Sequence, residues 1–180
     1  MRGFGQALVI VATMVSGCGA APVRYAPAPP FIASTNNFPD RIIALHNRER
    51  AAVGVPPLAW DSTLAAGAAS YARSLALSGA FAHSDRRTRG GAGENLWMGT
   101  RGAFTVEQMV GSWASEKRMF VPGVFPRVNR SGNWSSVGHY SQMIWPTTTR
   151  VGCALASSRS ADYLVCRYAP AGNIDGRRVP

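Results

Sequence analysis

The sequence predicts an α+β domain, on three observations. Three stretches carry apolar residues at helical spacing between clear start and stop signals, at 38–53, 61–78 and 105–120. Three short stretches, 94–99, 151–156 and 163–168, have the length and turn-bounded setting of strands. The 180 residues amount to one domain, long enough to bury a sizeable core. No nucleotide loop, CxxC ribbon or GxSxG elbow occurs in the chain, so any chemistry has to pass through His139 and its neighbours in Val137–Cys153.

The chain opens with Arg2, an apolar run Ala7–Val15, and then Ser16-Gly17-Cys18. That run is far shorter than the ~20 residues a membrane-spanning helix needs, and it fits the hydrophobic part of a secretory signal. Val15-Ser16-Gly17-Cys18 resembles the bacterial lipobox, in which the cysteine is lipidated and becomes the mature N-terminus. Residues 1–17 are then a lipoprotein signal peptide, with Cys18 the lipidation site. An ordinary cleavage near Ala20-Ala21 is the alternative, and it would leave the protein secreted and soluble. Cysteine arithmetic favours the lipobox. If Cys18 carries lipid, Cys153 and Cys166 remain as one pair in an oxidising compartment, and an odd count stops being odd.

The formal net charge is +10, and eighteen of the nineteen basic residues are Arg, Lys117 being the exception. Such a balance points to nucleic acid or to an anionic surface. Export removes nucleic acid from the choice. Envelope anions or lipids remain as partners, with membrane attachment through the N-terminal lipid.

Residues 18–37 are Ala/Pro-rich without apolar periodicity and read as an extended tether of roughly 3 Å per residue. The folded domain is 38–180. Its first helix tolerates Pro39 in the opening turn, runs Ile42, Leu45, Glu49 and Val53 along one side, and stops at Gly54 before Pro56-Pro57. Asp61 is the N-cap of the second helix, where Leu64, Ala68, Tyr71 and Leu75 form a stripe broadened by alanines. Small side chains in that number imply close approach of another element. Gly79 ends the helix. After a polar Arg/Gly loop and the strand 94–99, Thr105 and Gln108 give a capping box for the third helix.

On that third helix Glu116 falls on the apolar stripe of Val106, Met109, Val110, Trp113 and Phe120. A carboxylate on a core-facing edge is costly unless something pairs with it, so spacing alone marks a buried polar site. A long Gly/Pro/Asn loop follows, then the short apolar segment His139–Trp145 and the last two strands, which carry the two cysteines. A disulfide there would staple adjacent strands. The tail Asp175–Pro180 is basic and expected to be exposed.

Taken together, certain blocks resemble the CAP superfamily, named for the cysteine-rich secretory, antigen 5 and pathogenesis-related-1 proteins. Gly138-His139-Tyr140-Ser141-Gln142-Met143-Ile144-Trp145 with Gly152-Cys153 is similar to its first signature, and Cys166–Asn173 to its second. His46–Arg50, Pro57–Asp61, Gly93–Leu96 and Trp113 with Glu116 extend the agreement in family order over about residues 38–174. The resemblance implies a three-layer α-β-α sandwich with a small, mainly antiparallel sheet. It also implies a cleft tetrad, which falls on His83, Glu94, Glu116 and His139. Ser141 stands where the family commonly has Thr, and the chain has fewer cysteines than plant and animal relatives.

Two imidazoles and two carboxylates facing one cleft suit a borderline cation such as Zn²⁺, held weakly because His83 and His139 would be its only nitrogen ligands. Glu94 and Glu116 would complete the site by ligating, by orienting the rings or by holding water. The same four residues can equally form a polar network that only shapes the cleft. As a hydrolase the site would use Glu116 or Glu94 as general base, or Ser84 or Ser141 as a nucleophile beside a histidine. As a lipid or sterol binder it would need an apolar groove, for which Trp97, Met98, Phe104, Phe120, Val124, Phe125 and Trp134 are candidates. A binding rather than catalytic role is the expectation, in an exported, lipid-anchored envelope protein.

Overall fold

The computed structural model describes residues 37–180, so the signal segment, Cys18 and nearly all of the tether lie outside it. Helix α1 spans Phe38–Ala52, with Pro39 in a first turn whose N–H groups have no intrahelical partner to lose. Its buried residues are Ile42, His46, Glu49 and Arg50, while Leu45 and Val53 are only half-buried. The expected apolar stripe is therefore rotated, and two basic side chains go inside. Arg50 can do so because its fork donates to four backbone carbonyls, those of Pro56, Met143, Trp145 and Thr148.

Strand β1, Ala59–Trp60, is a two-residue element that the sequence did not announce. Helix α2, Ser62–Ser78, starts where Asp61 accepts the Leu64 N–H and stops at Gly79, whose φ of 70° is the left-handed cap that glycine adopts without strain. Strand β2 follows at Gly93–Thr100, and α3 at Val106–Ser115 opens with the expected Thr105/Gln108 capping box. The α-helix stops short of the expected Phe120 and gives way to a 3₁₀ turn at Glu116–Arg118. The Glu116 carboxylate bonds across to the start of another helix, and the chain turns there.

The long loop contains strand β3, Gly123–Val124, and a 3₁₀ turn at Trp134–Val137. Helix α4, Gly138–Met143, forms where only a short apolar segment was expected. Strands β4 (Arg150–Ser157) and β5 (Ala161–Ala169) follow, and β6 (Arg178–Val179) pairs with β3. Residues 175–178 of the tail are exposed as expected, while Val179 is fully buried once β6 docks.

The main sheet has the order β1-β4-β5-β2, antiparallel except for the parallel β1–β4 edge. Central β5 is buried almost end to end, as a strand covered on both faces must be. Its alternation assigns the layers. Leu164, Cys166 and Tyr168 pack with α1, α3 and α4, whereas Tyr163 and Val165 pack with Ala68, Ala72 and Leu75 of α2.

This is the three-layer sandwich that the resemblance implied. The alanine-rich face of α2 lies so close to β4 that a Cβ on Gly152 would collide with the backbone of Asp61, Leu64 and Ala65. Cys153 and Cys166 are register partners on β4 and β5 and form the disulfide.

Candidate functional site

A cleft of about 350 Å³ opens where the loop after α2, the start of β2 and the start of α4 meet; His83, Arg86, Glu94, Trp134, His139 and Asn173 are among its lining. Three of the four expected tetrad residues thus face one cavity, and the fourth, Glu116, sits behind His139. The sequence did not say what each carboxylate does, and their hydrogen bonds do.

Glu94 has a fully buried side chain and is surrounded by donors. Its Oε1 accepts from His83 Nδ1 at 2.9 Å, the Ser84 amide at 2.9 Å and Arg89 at 3.0 Å, and its Oε2 from the Ser84 hydroxyl at 2.6 Å. Arg167, its cross-strand partner on β5, brings Nε to 3.6 Å. Burial pushes the Glu94 carboxyl up, but the bonds from His83, Ser84 and Arg89 outweigh it and hold the group below its ordinary value. Gly67 of α2 is the residue that makes room for Arg167, whose guanidinium would meet any Cβ there.

Glu116 serves three donors of a single neighbour segment: His139 Nδ1 at 2.6 Å and the amides of His139 and Tyr140, each at 3.0 Å. Those amides belong to the first turn of α4, where N–H groups lack intrahelical partners. The carboxylate is therefore both the ring's orienting group and the helix's cap. On its other side the His139 ring stacks on Trp113, centroids 5.9 Å apart and planes at 17°. Trp113 is itself fixed by its indole N–H to the Leu96 carbonyl at 3.1 Å.

A buried chain of polar contacts supports this half from behind. His46 bonds the Ile42 carbonyl and, at 2.9 Å, the Tyr168 hydroxyl. Asn95 donates to that hydroxyl and to the His139 carbonyl, each at 3.1 Å. Burial, reinforced by nearby Arg50 and partly offset by the Ile42 bond, lowers His46 to about 4. It is a neutral structural imidazole.

Asn95, Tyr168 and Asn173 were legible as parts of motifs, but their roles were not. Asn173 donates to the Gly138 carbonyl and accepts from Ser141, so it clamps the start of α4. No local pattern announces contacts of that range.

A carboxylate only accepts, so in each pair the neutral ring carries its proton on Nδ1 and presents Nε2 as a lone pair. Neither Nε2 has a protein partner among the described residues. This is the carboxylate–imidazole arrangement that prepares histidine for a cation. Among the described residues, however, no group of three or more His, Cys, Asp or Glu is gathered to hold a metal ion. Glu94 and Glu116 direct their oxygens to protein donors and orient the two rings, which leaves Nε2 of each ring as the position a cation would use.

The nucleophile candidates fare less well. Ser84 gives its hydroxyl to Glu94, and fully buried Ser141 gives its own to Asn173. Neither meets a histidine. The candidate apolar groove does not assemble as one surface either. Phe120 and Phe125 are buried in the core, Trp97 and Phe104 pack edge to face on each other, and only Trp134 of that set lines the cleft.

Comparison with known proteins matches residues 43–168 to the family model described as "CAP: Cysteine-rich secretory protein family". The chain is 38% identical over 133 residues to pathogenesis-related protein 1C of Nicotiana tabacum, covering 73% of this chain and 74% of that protein. It is 33% identical over 177 residues to a pathogenesis-related protein of PR-1 type from Sambucus nigra, covering 97% and 93%. Among solved structures, "Crystal structure of NaASP2 with Zn2+" superposes with a TM-score of 0.64 at 26% identity, covering 77% of this chain and 82% of that one.

Proposed function

The chain belongs to the cysteine-rich secretory protein (CAP) family, and from that membership we propose an exported binding protein whose cleft takes its ligand at two metal-capable imidazoles. One observation carries the binding role over a catalytic one. Both tetrad carboxylates are consumed, Glu94 by His83, Ser84 and Arg89, and Glu116 by His139 and Tyr140. Glu94 accepts four bonds and Glu116 three, of the about four a carboxylate can take, so both groups are held by the protein instead of being turned toward a substrate proton.

His83 and His139 would hold a divalent cation such as Zn²⁺ through Nε2, with ligand or water in the remaining positions. Bound there, the metal would supply an electrophilic contact for an oxygen-bearing ligand. NaASP2, which has the same fold, has a crystal structure with Zn²⁺, and that supports the choice of cation. The protein side orients the two rings and, through Trp134 and Asn173, shapes the mouth.

We place the protein at the cell envelope through a lipid on Cys18. No helix among the described residues is long and apolar enough to cross a membrane. Membrane retention unchanged by Cys18→Ser would remove that anchor.

Zinc titration by calorimetry tests the cleft. Saturable binding of modest affinity should disappear in His83→Ala/His139→Ala, and an unchanged binding heat in that variant sinks the two-imidazole site. Metal-dependent turnover of a peptide or ester, abolished by Glu116→Gln, would overturn the binding role in favour of a hydrolase.

A further inference from the structure

A second concavity of about 1110 Å³ shares no lining residue with the cleft. It lies between the C-terminal half of α2 and the β4–β5 turn, and Arg73, Leu77, Arg101, Leu155, Arg159 and Tyr163 are among its walls. The three arginines come from three elements: α2, the turn after β2 and the β4–β5 turn. No Asp or Glu lines the groove, and the ion pairs among the described residues all use other cations. Asp162, between the β4–β5 turn and Tyr163, is buried and bonded to the Gly102 amide and the Ser157 hydroxyl.

Two apolar side chains stand out among these charges. Leu77 is 89% exposed and Leu155 is 42% exposed. A lone exposed leucine needs no explanation. Leu77, however, is four residues from Arg73 and so on the same helix face, with unpaired guanidinium groups around it. Cations flanking a protruding aliphatic side chain are complementary to a headgroup layer, whose phosphates pair with Arg while the acyl boundary takes the leucine.

We propose that this groove is a docking surface for an anionic phospholipid bilayer, with Arg73, Arg101 and Arg159 at the phosphates and Leu77 dipping beneath them. Charge complementarity commits the surface to an anionic partner, and the aliphatic tip favours a lipid surface over an acidic protein. The interaction is independent of the cleft and of any lipid on Cys18. It would set which face the domain turns to a membrane.

Vesicle cosedimentation of the full chain carrying Cys18→Ser tests this. The probes are vesicles of phosphatidylcholine alone and of phosphatidylcholine mixed with phosphatidylglycerol. The expected result is a clear preference for the mixed vesicles. Arg73→Glu/Arg159→Glu should weaken it at least tenfold. Arg127→Glu/Arg130→Glu, the same change of charge placed elsewhere, should weaken it only about threefold or less.

Leu77→Ser should lower the binding that persists in raised salt, where Arg contacts are screened. All these side chains are on exposed residues, so unfolding temperatures should match the parent. Equal binding to both vesicle types, or equal loss in the two charge-reversed variants, overturns the proposal. So does an Arg73→Glu/Arg159→Glu variant whose main effect is to dissociate a dimer of the parent, which would make the groove a contact between copies.

Discussion

His83 and His139 each give Nδ1 to a glutamate, at 2.9 and 2.6 Å, yet their surroundings are opposite. The His83 side chain is 55% exposed and its partner Glu94 is fully buried, whereas His139 is 32% exposed beside a Glu116 that is 18% exposed. In the first half the carboxylate is fixed, by Ser84, Arg89 and Arg167, and the imidazole hangs from a loop. In the second half the imidazole is fixed, by Trp113 and by a helix whose first turn its own partner caps. Equal pairs of groups thus differ in which member the fold holds. Under the proposed binding role, a ligand entering the cleft would meet one ring that can adjust and one that cannot, a workable division for an open site.

The sharpest way to break that comparison is to remove the fixed carboxylate. Glu94→Ala leaves Arg89 and Arg167, both nearly buried, without their shared anion. Breaking a buried ion pair from one side costs about 3–5 kcal/mol, and urea unfolding should show a loss of that size. Amide signals of His139 and Tyr140 should stay in place in the folded fraction, because their acceptor is Glu116. A loss below about 1 kcal/mol would mean the two guanidiniums rehydrate freely. The first half would then be no more rigid at its carboxylate than the second.

Much of this arrangement was legible in the sequence where the determinant is local. Asp61, Gly79 and the Thr105/Gln108 box set helix ends by contacts within a few residues, and the structure has them. Glu116 betrayed itself by sitting on an apolar stripe. Other features depend on partners far along the chain. The start of α4 is capped from 23 residues upstream, so a six-residue helix forms where periodicity is too short to read. Arg50 is buried by carbonyls 93 to 98 residues away in Met143–Thr148. Strands β1 and β6 are two residues each and exist only because β4 and β3 offer edges. The tetrad itself was legible through family resemblance, and its division of labour only in three dimensions.

Acid should separate the two halves. Folded His46 titrates near 4 against an ordinary 6.5. As pH falls through that window the unfolded chain takes up a proton that the folded one refuses, so stability declines. The gap is worth about 3 kcal/mol. His46 reaches the His139 carbonyl through Tyr168 and Asn95, so loosening should begin on that side. Glu94 acts later, since its carboxyl lies below the ordinary 4.5 and its contribution is lost only as pH drops through the folded value. Hydrogen exchange at pH 5 should therefore quicken at the His139 amide before the Ser84 amide. The reverse order would show that the buried chain does not support the second half.

The smallest effects come from truncating the rings, and they bear most directly on which member of each pair the fold holds. His83→Ala removes a half-exposed imidazole from a carboxylate that keeps its bonds from Ser84 and Arg89, so the stability cost should be about 0.5 kcal/mol or less. His139→Ala removes the stack on Trp113 and one of three donors to Glu116, while the two amides of α4 remain capped. An aromatic stack and a charge-assisted bond together put that loss at about 1–2 kcal/mol. Denaturation midpoints of the two variants, measured side by side, decide the matter. A His83→Ala loss as large as that of His139→Ala would place both imidazoles in the framework. In the expected order, His139 is part of the scaffold and His83 is the side chain left free to adjust to a ligand of the kind proposed.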